Sequence, residues 1–140
     1  MKILAIDPGS RNMAWVMTDG GAVTHAGRTD IFEGKPIESS KVFVRTMQFV
    51  ADMMELIREA DVVIVCLGED TYAEVPGNIP DVTLSATVGN PFARGQLELG
   101  DRLADTGTPM VGVIVAGRPR VLNDAPSKLQ AMVNAMLPGP

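Results

Sequence analysis

Between Asp61 and Gly68 the chain reads Val62-Val63-Ile64-Val65-Cys66-Leu67, six apolar residues in a row and mostly β-branched. A short, uninterrupted run of that kind, bounded by an acid and a glycine, is the pattern of a strand buried on both faces of a sheet. Such a strand requires helices as cover and therefore an α/β fold. The length of 140 residues supports one domain, 1–140, with one core. At 46% hydrophobic and 21% charged residues the chain is ordinary for a globular protein. Cys66 is the single cysteine, so no internal disulfide forms, and its place in an apolar run suits a small buried hydrophobe. The longest apolar runs fall far short of the ~20 residues of a membrane span. The opening Lys2-Ile3-Leu4-Ala5-Ile6 meets Asp7-Pro8 too soon for a signal peptide, which leads us to expect a cytoplasmic protein with no membrane partner. A net charge of -5 and a pI of 4.7 leave no global basic footprint for nucleic acid.

Taken in order, residues 2–6 read as a strand ending in the turn Asp7-Pro8-Gly9-Ser10. Met13 to Thr18 and Ala22 to Gly27 flank Asp19-Gly20-Gly21, a strong hairpin signal, so the first three strands form a meander. After a loop at Ile31 to Pro36 the period changes. Phe43, Met47, Val50, Met54 and Ile57, widened by Val44, Met53 and Leu56, follow helical spacing behind a Ser39 or Ser40 cap. Methionines on such a stripe are core filler. Beyond the central run, Leu97, Gly100, Leu103 and Ala104 mark a second helix, and Met110 to Ala116 a second buried strand. Asp124 and Pro126 then predict the start of a last helix with the stripe Leu129, Met132, Val133 and Met136. The expected architecture is a three-layer α/β sandwich of about five strands, an antiparallel meander plus parallel strands, with a core centred on Val63, Ile64, Val65, Val113 and Val115. The tail Leu137-Pro138-Gly139-Pro140 reads as frayed.

Two resemblances divide the chain. The opening Lys2-Ile3-Leu4-Ala5-Ile6-Asp7-Pro8-Gly9-Ser10-Arg11-Asn12-Met13-Ala14-Trp15 resembles the start of the RuvC-like Holliday-junction resolvases, of the ribonuclease H-like superfamily, over residues 1–60. That resemblance implies a ribonuclease H-like fold, a metal-dependent endonuclease acting on branched DNA, and Asp7 as a ligand of catalytic Mg²⁺. From the residues alone Asp7 is equally a turn cap after a strand. The family's strand matching Val62–Leu67 ends in a metal-binding Glu; Cys66 stands there instead. From residue 61 on, Gly68-Glu69-Asp70-Thr71-Tyr72-Ala73-Glu74, Gly95-Gln96-Leu97-Glu98-Leu99, Thr106-Gly107-Thr108-Pro109 and Val115-Ala116-Gly117-Arg118-Pro119 resemble the C-terminal α/β domain of family 3 glycoside hydrolases. That resemblance implies a place beside a glycosidase barrel whose nucleophile this chain lacks, with Glu69 or Glu74 matching an acid/base of some members.

Neither chemistry is complete. The candidate catalytic carboxylates are Asp7, Glu69, Asp70 and Asp124, with Asp7 the candidate metal ligand. The segment where the resolvases place their last acids, Ser127 to Met136, carries none. His25 is the single histidine, which excludes a His-based metal site or triad. Arg118 and Arg120 read as turn arginines or an anion contact. The reading that follows is a hybrid α/β domain, resolvase-like in 1–60 and hydrolase-like in 61–140, engineered or computationally generated, with no evolved catalysis and no cofactor. The alternatives are a divergent Mg²⁺-dependent nuclease on branched DNA, and a sugar-binding or interaction module.

Overall fold

The computed structural model describes residues 1–8, 12–30, 39–68, 82–84 and 92–136. Among these residues six strands form one mixed sheet: β1 (Lys2–Pro8), β2 (Asn12–Asp19), β3 (Ala22–Asp30), β4 (Val62–Gly68), β5 (Met110–Val115) and β6 (Ala131–Asn134), in the order β3-β2-β1-β4-β5-β6. β1 to β3 are antiparallel, and β4, β5 and β6 continue the sheet parallel to β1. The two-residue turn Gly20-Gly21 joins β2 to β3 with both φ angles positive, +56° and +89°, the twist-matched geometry that these glycines adopt without a Cβ penalty. α1 (Ser39–Glu59) leads into β4, and α2 (Phe92–Ala104) leads into β5.

Because β1, β4 and β5 advance in one direction across the sheet, right-handed crossovers carry both helices to the same face. There Phe49, Val50, Met53 and Ile57 of α1 and Leu99 and Leu103 of α2 close over Leu4, Ile6, Met13, Met17, Val63, Val65, Leu67, Met110 and Ile114. Phe49, absent from the expected stripe, meets Trp15 edge to face with ring centroids 5.6 Å apart. Val44, expected on the stripe, is exposed. This is the α/β, ribonuclease H-like class expected from the sequence; of its helical layers, the described residues supply the one on this face. The loop at 31–36 and the tail at 137–140 lie outside the described residues.

Two expectations are corrected. β4 is internal to the sheet, paired with β1 and β5, yet it is not buried on both faces: Val63, Val65 and Leu67 are buried, while Ile64 and Cys66 between them are half-exposed. Val113 and Val115 on β5 alternate in the same way, so the core centres on Val63 and Val65 and not on Ile64. The run is apolar on both sides, but among the described residues the helices cover one. The last helix is also replaced. Pro126 starts a turn, but only a 3₁₀ turn at Ala125–Lys128; Leu129 is then extended and the chain enters β6. Gln130 supplies the reason. Its backbone N–H donates to Met110 O at 2.9 Å and its side-chain Oε1 accepts from the Met110 N–H, so the segment is captured by the open edge of β5 before a helix can propagate. Among the described residues the sheet therefore has six strands where about five were expected.

Candidate functional site

In this topology the parallel strands end together, and candidate chemistry gathers at their carboxyl ends. Ile6 lies beside Val65 in the β1–β4 register; one residue on, Asp7 and Cys66 end their stretch side by side on the sheet face opposite the helices. Asp7 is exposed and Cys66 half-buried. Burial pushes the Cys66 thiol up from its ordinary value, and the negative charge of Asp7 pushes it further the same way. The thiol is thus held protonated, a poor nucleophile and a poor ligand for a hard cation.

Gln96 sets the end of β4, and sequence reading missed it. It is the buried polar side chain of α2, 4% exposed, and its Oε1 accepts the backbone N–H of Gly68 at 2.8 Å. A glutamine three positions before Leu99, one helical turn up the buried stripe, was the available signal. The carbonyl of Val115 lies only 2.7 Å from where a Cβ on Gly68 would sit, so this strand end has no room for a side chain.

The other candidate acid lies elsewhere. Asp124 precedes the 3₁₀ turn, and its carboxylate pairs with Lys128 at 2.9 Å. Lys128 also reaches Asp101 of α2 at 2.6 Å. The hydrogen bond from Lys128 draws the Asp124 carboxyl below its ordinary pKa, while its two acids push Lys128 well above the usual lysine range. The cluster borders a small apolar cleft lined by Val65, Leu67, Leu97, Gly100 and Leu129, on the helix side of the sheet. Asp7 looks out from the opposite face, so the two are not brought together. Glu69, Asp70 and Glu74 lie outside the described residues.

Among the described residues, no three His, Cys, Asp or Glu side chains converge as a group able to hold a metal ion. An Mg²⁺ site needs several oxygen donors. The described strand ends offer one carboxylate beside a protonated thiol, so these residues do not fit that ion. His25 is exposed on β3 beside the Thr24 hydroxyl. Arg120 donates through Nη2 to Thr83 O at 2.6 Å and helps hold residues 82–84 beside Val121. Among the described residues no helix is long and apolar enough to cross a membrane.

Comparison with known proteins adds two likenesses. Residues 3–140 match the family model described as the glycosyl hydrolase family 3 C-terminal domain. A lysosomal beta glucosidase of Dictyostelium discoideum is 35% identical over 91 residues, which are 64% of this chain and 10% of that protein. The chain thus spans a small part of the relative's length. Among solved structures, T. thermophilus RuvC in complex with Holliday junction substrate superposes with a TM-score of 0.53 at 15% identity, covering 81% of this chain and 64% of that one. At that identity the likeness is one of fold. The family match begins at residue 3, so the hydrolase likeness is not confined to the chain beyond residue 60.

Proposed function

The chain belongs to the glycosyl hydrolase family 3 C-terminal domain family, and from that membership we propose that it is an accessory α/β module with no catalysis of its own. The observation that carries this reading is the pairing at the carboxyl ends of β1 and β4, where Asp7 stands beside the half-buried Cys66 thiol. Glycoside hydrolysis needs two carboxylates flanking the bond, and two-metal phosphodiester cleavage needs several around the ions. Among the described residues, the one exposed aspartate at these strand ends meets neither requirement.

A finer form of the reading concerns origin. Fold likeness to a resolvase together with family membership in a hydrolase domain is what a designed or generated hybrid of the two would carry, and native gene context tests it. A gene encoding this chain in continuity with a glycosidase barrel would end the hybrid reading and leave the accessory module intact.

The activity test uses branched DNA with Mg²⁺ or Mn²⁺ beside an aryl β-glucoside, each with the wild type, Asp7→Asn and Cys66→Glu. No turnover by the wild type is expected on either substrate. Wild-type cleavage of the DNA that disappears in Asp7→Asn would overturn the proposal in favour of a divergent nuclease. Cleavage gained only in Cys66→Glu would support it, by showing that the missing second carboxylate is what keeps a resolvase-like sheet silent.

A further inference from the structure

The two edges of the sheet are built differently. β3 carries Thr24, His25 and Arg28, all exposed, and its pairing with β2 shifts register between Met17 and Thr18. Polar and charged side chains and an irregular register are the ordinary means of keeping an edge from pairing with another strand. β6 carries one polar side chain, Asn134, and neither a charge nor an irregular register, and among the described residues nothing pairs with its outer edge. Ala131-Met132-Val133-Asn134 contains no charge, no proline and no register shift against β5, and all four residues are exposed. Met132 is 47%, Val133 51% and, just beyond the strand, Met136 55% exposed, three of the large apolar side chains most open to water among the described residues.

An open strand edge offers alternating backbone N–H and C=O groups, and the group that satisfies them in register is another strand. We propose that the strand is β6 of a second copy of this chain, paired antiparallel about a two-fold axis perpendicular to the sheet. Charge favours this occupant. Each chain carries a net charge of -5, so most faces of two copies repel. The stretch from Leu129 to Met136 is uncharged, and the nearest charge, Lys128, is already engaged by Asp101 and Asp124. An isologous antiparallel pairing places this neutral stretch opposite itself. It also keeps the faces aligned, so Val133 approaches the same face of its copy and the half-exposed Val111, Val113 and Val115 face continues across the junction. β3 is excluded as the partner edge by its own protection, so the contact closes at two copies and does not propagate. A four-residue strand with three large apolar neighbours buries less than the ~1,200 Å² of a stable interface, so the dimer is weak and in rapid exchange.

Sedimentation velocity of the 140-residue chain, from low micromolar to near-millimolar concentration, tests this. The expected result is a reversible shift from one to two copies, little affected by salt, with amide exchange of residues 130–136 slowing as concentration rises. Val133→Lys should weaken association about tenfold or more by setting two charges against each other across the axis. Val23→Lys, at a still more exposed site on the other edge, should leave it unchanged. Asn134→Lys repeats the first test should Val133→Lys lose its cooperative thermal transition. A chain that stays monomeric throughout, assembles beyond two copies, or dimerises equally well with a lysine in β6 would overturn the proposal.

Discussion

Two glycines and one cysteine show how much a single side chain decides here. A Cβ on Gly27 would lie 2.1 Å from the Trp15 ring, which itself rests against Phe49. Gly27→Ala should therefore push the indole off its edge-to-face contact and destabilise the fold by about 1–3 kcal/mol. Gly100 is the reverse case. It sits inside α2, and a Cβ there meets nothing within 4 Å. Gly100→Ala should stabilise by about 1 kcal/mol through helix propensity and partial filling of the adjoining cleft. Chemical denaturation of both variants checks the pair: opposite signs are expected, and a stabilised Gly27→Ala would remove the packing role given to Trp15. That Cys66 is a neutral residue near the end of an apolar strand was legible in the sequence. That Asp7 lies next to it was not legible, because only the β1–β4 register sets them side by side.

At the scale of elements, β4 tests the corrected account of burial. Val65 is fully buried on the helix face of the sheet, while Ile64 lies on the half-exposed face. Val65→Asp should abolish cooperative unfolding, because it places an unpaired carboxylate in the core. Ile64→Asp should lower the midpoint but leave a folded chain; equal loss in both would mean the second face is as closed as the first. The 3₁₀ turn gives a pH prediction. Lys128 holds it to α2 through Asp101 and to its own start through Asp124. The Asp124 pKa is depressed by folding, so its contribution is present above the ordinary value of 3.8 and is lost as pH falls through the lower folded value. Lys128→Met should thus lower the melting temperature at neutral pH, and the gap to wild type should narrow in strong acid. A gap unchanged by acid would assign the effect to packing of the lysine stem against the cleft. Sequence periodicity found both helices and the hairpin, yet it read the segment after Pro126 as a helix. Four residues with apolar spacing at 129, 132, 133 and 136 suit either element, and the choice fell to the backbone and side-chain capture of Met110 by Gln130.

Over the length of the chain, one sheet joins the strands before α1 to those after it. Lys2 and Asp61 are tied twice, Asp61 N–H to Lys2 O at 2.9 Å and Lys2 N–H to the Asp61 carboxylate at 2.8 Å, and β1 then pairs along β4. The two stretches should unfold together. Fluorescence of Trp15, the single tryptophan, and far-UV circular dichroism should give coincident transitions, and a chain ended at residue 60 should show none. Separate midpoints for the two probes would mean that the halves are independent units. Local features were readable from residue type alone: the meander with its glycine turn, the helical stripes, the apolar strands, the α/β class, and the neutral residues at Cys66 and from Leu129 to Met136. Each of these follows from residue type and spacing within a few positions. Distant partners decided which face of β4 became core, where the Asp124 side chain went, and that the segment after Pro126 forms an edge strand in place of a helix. Those outcomes depend on partners distant in sequence, namely helices brought to one face by right-handed crossovers and a β5 edge whose backbone groups had to be satisfied.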